Sequence, residues 1–98
     1  LKDFKMKLIG STSVVTEVAC STSAATLASA NESRVYTIIH NATGAALYVL
    51  LGAGTVATDN FSITIADGAS YEVPSLFRGA ISGVLASGTG NAYVTEIY

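Results

Sequence analysis

The sequence predicts an all-β protein: a single antiparallel β-sandwich or a jelly-roll-like barrel of about seven to nine short strands. Short runs rich in β-branched and aromatic residues recur along the chain. Turns containing Gly, Asn or Asp separate these runs about every ten residues, and no long amphipathic helical pattern interrupts them. The length of 98 residues suits one domain, so residues 1–98 are assigned to a single sandwich.

The strands are predicted from the apolar runs and the turns between them. The weakest is the second, since its alanines would also permit a short helix. A short polar turn at positions 41–44 joins the third and fourth strands, which predicts that these two form a hairpin. The predicted strands are, in order, Val14–Cys20, Ala24–Leu27, Arg34–His40, Ala46–Leu51, Phe61–Ile65, Tyr71–Val73, Ala80–Ala86 and Ala92–Ile97.

The fifth strand carries a strict alternation of apolar and hydroxyl side chains between positions 61 and 65. Because successive side chains of a strand point to opposite faces, Phe61, Ile63 and Ile65 share one face. We expect that face to pack in the core. Ser62 and Thr64 are then expected to face solvent.

Composition points to a protein that assembles with neighbours. Charged residues make up 12% of the chain, about half the usual share of roughly 25%. A surface this sparsely charged suits a protein whose faces are covered, so a homo-oligomer is expected. The net charge of −2 argues against a nucleic-acid partner. No apolar run approaches the roughly 18 residues of a membrane-spanning helix, so no membrane partner is expected.

The sequence offers no arrangement of residues that indicates catalysis or cofactor binding. His40 is the only histidine and Cys20 the only cysteine, and the acids are scattered singly. We therefore predict no enzymatic activity, no catalytic residues, no metal and no organic cofactor. Cys20 is expected to be a small buried apolar residue. His40 is expected half-exposed at a strand end, although composition alone leaves a Ser-His-acid triad, and so a small secreted hydrolase, as a weak alternative.

Residues 1–10 form a basic segment on an acidic chain. This segment holds all the lysines of the sequence, opposed by one acid, Asp3. Its apolar residues alternate with lysines, a pattern that suits a strand added to the edge of a neighbour's sheet. The segment is therefore predicted as a docking arm, with a first strand of the protein's own sandwich as the equal alternative. The predicted partner-binding residues are Lys2, Phe4, Lys5, Met6 and Lys7.

A series of turn and strand features lies between Asn31 and Ile97, which is about two thirds of the chain. Together these features resemble a pattern found in small virion structural proteins of tailed bacteriophages. They consist of strand alternation and turns. The matching features are Asn31, Arg34, Ile39-His40-Asn41, Leu47-Tyr48-Val49, Leu51-Gly52, Phe61 to Gly68, Tyr71 to Pro74, Gly79 to Val84 and Gly88 to Glu96.

The resemblance implies a β-sandwich on the outside of a virion, assembled in the host cytoplasm. The leading function it implies is a capsid decoration or cement protein on the outer surface of the phage head. Such a protein contacts the major capsid protein or other virion proteins and is often a trimer. The alternative is a receptor- or glycan-binding module of a phage fibre or tail. The family supplies no catalytic residues to carry over.

Overall fold

A computed structural model describes residues 9–98 as eight strands in two four-stranded antiparallel sheets. One sheet has the strand order β1-β8-β3-β6 and the other the order β2-β7-β4-β5. The predicted all-β sandwich is confirmed, including the weak second strand. The strands are β1 Ser13–Cys20, β2 Ala25–Ala28, β3 Tyr36–Ala42, β4 Leu47–Leu51, β5 Ile63–Ile65, β6 Ser70–Glu72, β7 Ile81–Leu85 and β8 Gly90–Ile97.

The strand pairing is that of one long hairpin rolled up on itself. β4 pairs with β5, β3 with β6, β2 with β7 and β1 with β8. Partners therefore lie symmetrically about the β4–β5 loop, which joins two strands of the same sheet. The other six connections all cross from one sheet to the other. This connectivity is that of an eight-stranded jelly roll.

The predicted hairpin between the third and fourth strands is wrong. β3 runs on to Ala42, and the following turn carries β4 into the opposite sheet. The cause is the buried side chain of Asn41, whose Nδ2 donates at 2.8 Å to the carbonyls of both Ala45 and Ile65. Its Oδ1 accepts the backbone N–H of Thr43 at 3.0 Å and the Thr43 hydroxyl at 2.6 Å. Asn41 thus fastens the turn across the two layers.

β3 runs from one end of the sandwich to the other, and each end is named here by the polar residue buried there. Arg34 precedes β3 at one end, and Asn41 lies near its last residue at the other. The Arg34 end carries loops 29–35, 52–62 and 73–80, together with residues 9–12 and Tyr98. The Asn41 end carries turns 21–24, 43–46, 66–69 and 86–89.

The core lies between the two sheets, and the alternation at positions 61–65 places its residues only in part as predicted. Ile65 is 3% exposed and Ile63 is half-buried against the core, but Phe61 is 41% exposed. β5 begins only at Ile63, so Phe61 precedes the strand and its ring meets Tyr48 edge-on at 5.0 Å. Buried apolar side chains from both sheets include Ile39, Leu47, Val49, Val73, Ile81, Leu85 and Val94, and Cys20 is buried as predicted.

We expect Ile65→Ala to lower the free energy of unfolding by about 2–5 kcal/mol, because it leaves a cavity between the sheets. Phe61→Ala removes a surface ring contact and is expected to lower it by no more than about 1 kcal/mol. Urea denaturation of both variants measures the difference. Equal losses at the two positions would contradict the register of β5.

Candidate functional site

Arg34 is fully buried at the end of the sandwich that bears its name. A guanidinium has five N–H donors, and here all five have acceptors. Nε donates to the Phe77 carbonyl at 3.3 Å, and Nη2 donates to the carbonyls of Phe77 at 3.1 Å and Gly79 at 2.7 Å. Nη1 donates to the Ser29 carbonyl at 3.0 Å and to Oε2 of Glu96 at 2.8 Å. The group is therefore saturated and available to no ligand.

These bonds join loop 29–35, loop 73–80 and the end of β8. Arg78 strengthens the junction, since its Nε donates to the Arg34 carbonyl at 2.6 Å. Leu76 in the same loop has φ +68°, a left-handed conformation that is uncommon for a non-glycine residue. Its N–H donates to the Val35 carbonyl at 3.1 Å. Such a strained residue persists only where its surroundings hold it, so we assign Arg34 a structural role.

The outer face of the β1-β8-β3-β6 sheet carries a row of four polar side chains. Glu17, Tyr93, His40 and Ser70 are direct neighbours across four strands. The Tyr93 hydroxyl donates to Oε2 of Glu17 at 3.0 Å, and the Asn91 amide donates to the same oxygen at 3.0 Å. His40 Nδ1 and Ser70 Oγ lie 2.8 Å apart in a further hydrogen bond. The row presents an aromatic ring and polar groups side by side.

A second tyrosine on this face also donates to a glutamate. The Tyr36 hydroxyl is bonded to Oε1 of Glu72. That hydrogen bond raises the pKa of Tyr36, and the bond from Tyr93 to Glu17, with the repulsion between phenolate and carboxylate, raises the pKa of Tyr93. Both phenols therefore remain hydrogen-bond donors to their glutamates into the alkaline range.

His40 lies inside β3 rather than at its end, which corrects the expectation from the sequence. The strand continues through Asn41 to Ala42, and the His40 ring is half-buried on the outer face. In the part of the chain that the structure describes, no carboxylate is bonded to His40. Within those same residues, no three His, Cys, Asp or Glu side chains gather where they would hold a metal. His40 and Ser70 form a surface hydrogen-bonded pair.

A third surface is the side of the sandwich where, among residues 9–98, β1 and β2 are the edge strands of their sheets; we call it the open side. A groove of about 470 Å³ lies between them. β1 is regularly paired with β8 on its other side, and it carries no proline and no lysine. Edges without such features pair readily with another chain. This β1 edge groove is lined by Thr16, Val18, Thr26, Leu27, Ala28, Ser29, Ala30, Asn31 and Glu96.

The backbone of β1 directs alternate polar groups toward this open side. Thr12 and Tyr98 exchange N–H···O bonds of 2.7 and 2.8 Å, which fixes the phase of the ladder. Even-numbered residues of β1 therefore bond to β8, and odd-numbered residues point their N–H and C=O groups away from it. Val14 and Val15 on this strand are 43% and 62% exposed. An added strand would find both hydrogen-bonding groups and apolar surface here.

The predicted partner-binding residues Lys2, Phe4, Lys5, Met6 and Lys7 lie outside the described residues, so their role stays a prediction. Gly10, the last residue of the predicted arm, is part of the sandwich. A Cβ at Gly10 would overlap the side chains of Ile97 and Val35, and the next residue, Ser11, donates its N–H to the Tyr98 carbonyl at 3.0 Å.

Little in the sequence indicated the buried Arg34 or the polar row on the outer face. In the sequence, Arg34 appears only as the first residue of a predicted strand and as one matching feature of the resemblance. Tyr36 and Glu72 are separated by 36 positions in the sequence, and Tyr93 and Glu17 by 76. Only the strand register brings each pair together. Neither the burial of Arg34 nor the polar row was predicted.

Comparison of the chain with protein-family models, with curated proteins and with solved structures finds no match. Across residues 9–98, no helix is long and apolar enough to cross a membrane.

We expect Arg34→Met to lower the free energy of unfolding by about 3–5 kcal/mol, because the carbonyls of Ser29, Phe77 and Gly79 lose their donors. Glu96→Gln keeps an oxygen that accepts from Nη1 but removes the counter-charge of the buried guanidinium, and we expect a smaller loss of about 1.5–3 kcal/mol because the carbonyls keep their donors. Thermal and urea unfolding measure both. A Glu96→Gln loss as large as that of Arg34→Met would show that the ion pair, and not the carbonyl cluster, holds this end.

We expect Glu17→Gln to lower the pKa of Tyr93 toward the usual tyrosine value near 10, because the phenol loses its charged acceptor. The folded pKa of Tyr93 is raised, so the stabilisation from its bond to Glu17 is complete below about pH 10 and is lost as pH rises through the folded pKa. Titration of ¹³Cζ-labelled tyrosine by NMR measures the midpoints. Glu72→Gln is the matched control: it should move Tyr36 and leave Tyr93 unchanged. An unmoved Tyr93 in Glu17→Gln would refute the assigned cause.

Proposed function

We propose that this chain is a structural protein of a bacteriophage virion, a decoration or cement protein on the outer surface of the head. The observation that carries the proposal is the open edge of β1, a regular exposed strand whose backbone groups are directed outward. The sequence resemblance to small virion proteins points the same way. In this role the jelly roll adds contact area between capsid subunits and their neighbours, and a trimer is the favoured state.

The distribution of charge supports a role in assembly. Residues 9–98 hold two arginines and six acids, and 2 − 6 gives a net charge of −4. One arginine, Arg34, is buried and saturated. Two acids, Glu17 and Glu72, already accept hydrogen bonds from tyrosines. Covering a surface with so few charged residues removes few charges from water, which keeps the desolvation penalty of association small.

The outer face with the two Tyr–Glu pairs favours a second candidate, a receptor- or glycan-binding module of a fibre or tail. Sugar-sized ligands bind where apolar or aromatic surface meets a few placed polar groups. Tyr36 and Tyr93 supply the rings, and Asn91 and His40 lie beside Tyr93 with hydrogen-bonding groups.

Location and copy number distinguish the two candidates. Quantitative mass spectrometry of purified particles, with separated heads and tails and the major capsid protein as internal standard, gives the number of copies in each fraction. A decoration protein is expected in hundreds of copies per head. A handful of copies confined to tails would instead support the fibre module. Exclusion of the chain from both fractions would overturn both proposals.

A further inference from the structure

We propose that the β1 edge groove of one copy receives residues 4–8 of a second copy as an added strand. The proposal rests on the proposed function as an assembling structural subunit, and it names the contact through which copies join.

The alternation of residues 4–8 matches the two sides of the β1 edge. Side chains of an added strand alternate between the two faces of the sheet that it extends. On the inner face they enter the groove beside Val18 and Leu27, and on the outer face they emerge beside Glu17. The segment offers three apolar side chains on one side and two lysines on the other. The apolar residues are Phe4, Met6 and Leu8, and the lysines are Lys5 and Lys7.

One register satisfies both faces at once. With the apolar side chains in the groove, the lysines lie on the outer face, where Glu17 provides a negative charge. A slip by one residue would place the two lysines in the groove, where the one acid of the lining, Glu96, is already paired with Arg34, and this is unfavourable. The pairing is therefore specified by the pattern of the segment.

Length and charge also match. A strand of five residues spans about 17 Å, within the roughly 26 Å of the eight-residue β1. Residues 1–8 hold three lysines and one aspartate, so 3 − 1 gives a net charge of +2 against −4 for residues 9–98. Opposite net charges favour the encounter of segment and body.

The approach of the chain to β1 favours a second copy over the same one. Gly10 lies against Ile97 and Val35, and the N–H groups of Ser11 and Thr12 both donate to the Tyr98 carbonyl. The chain therefore reaches β1 from the side of β8 and β3, opposite to the open edge. Covering its own edge would require the segment to reverse and pass around β1. A neighbour's edge requires no such reversal.

Cysteine cross-linking between two differently substituted full-length chains tests the contact. One chain carries Met6→Cys and the other Thr16→Cys, since Thr16 is exposed and lines the groove. After mixing and mild oxidation, we expect disulfide-linked heterodimers at least tenfold above two controls. One control replaces Met6→Cys with Lys5→Cys, a position that the proposed register places on the other face of the sheet. The other replaces Thr16→Cys with Thr64→Cys, an exposed position on the opposite edge strand β5. Cys20 is buried and common to all chains.

A second variant blocks the edge without changing the segment. Val15→Pro removes an N–H directed to the open side and leaves the bonds to β8 in place. We expect at least a tenfold loss of self-association in sedimentation velocity, with thermal unfolding as the check on its fold. If Val15→Pro does not fold, the cross-linking experiment alone tests the contact.

Three outcomes would overturn the proposal: equal cross-linking in the controls, undiminished self-association of folded Val15→Pro, or an intrachain disulfide in dilute Met6→Cys/Thr16→Cys double variant. Abundant copies on heads without the cross-link would leave the proposed function standing and refute this contact. A cross-link formed by a chain that is absent from heads would support this contact and refute the proposed function.

Discussion

The saturated guanidinium of Arg34 is the interaction on which one end of this jelly roll depends. Burying a charge is unfavourable unless it is paired and fully hydrogen-bonded. Here Glu96 supplies the opposite charge, and the carbonyls of Ser29, Phe77 and Gly79 turn inward to take the remaining donors. The two crossing loops, the approach to β3 and the end of β8 are thereby held by a single side chain.

Asn41 performs the corresponding task at the other end of β3, where its amide ties two crossing turns together. The two buried polar groups thus fix the ends of the strand that runs through the middle of the fold. The side with β1 and β2 is held differently. Among residues 9–98, β1 is paired on one side only, and its first residues are exposed on both faces. Buried polar contacts therefore fix both ends of the sandwich, while the β1 edge remains able to pair with another strand. Both properties are expected of a subunit that assembles through its edge.

The parts of the fold that were predicted from the sequence are those determined by local residue patterns. Strand positions follow from β-branched runs and turn residues, and the alternation placed Ile65, Ser62 and Thr64 correctly. The hairpin failed because a short polar turn looks the same whether the chain stays in one sheet or crosses to the next, and Asn41 decides between them by contacts with Ala45 and Ile65. Arg34 was missed because charged residues are almost never fully buried. The polar row on the outer face depends on strand register between distant segments, which no local pattern contains. The docking arm stays a prediction.

Amide hydrogen exchange along β1, followed at low and high protein concentration, tests the pairing-competent edge most directly. At low concentration the even-numbered amides of Val14, Thr16 and Val18 should be protected by β8, whereas the odd-numbered amides of Val15, Glu17 and Ala19 should exchange quickly. At high concentration the odd-numbered amides should become protected as a neighbour's strand adds to the edge. Odd-numbered amides that are already protected in the dilute monomer, or that stay unprotected in the assembled state, would contradict the account.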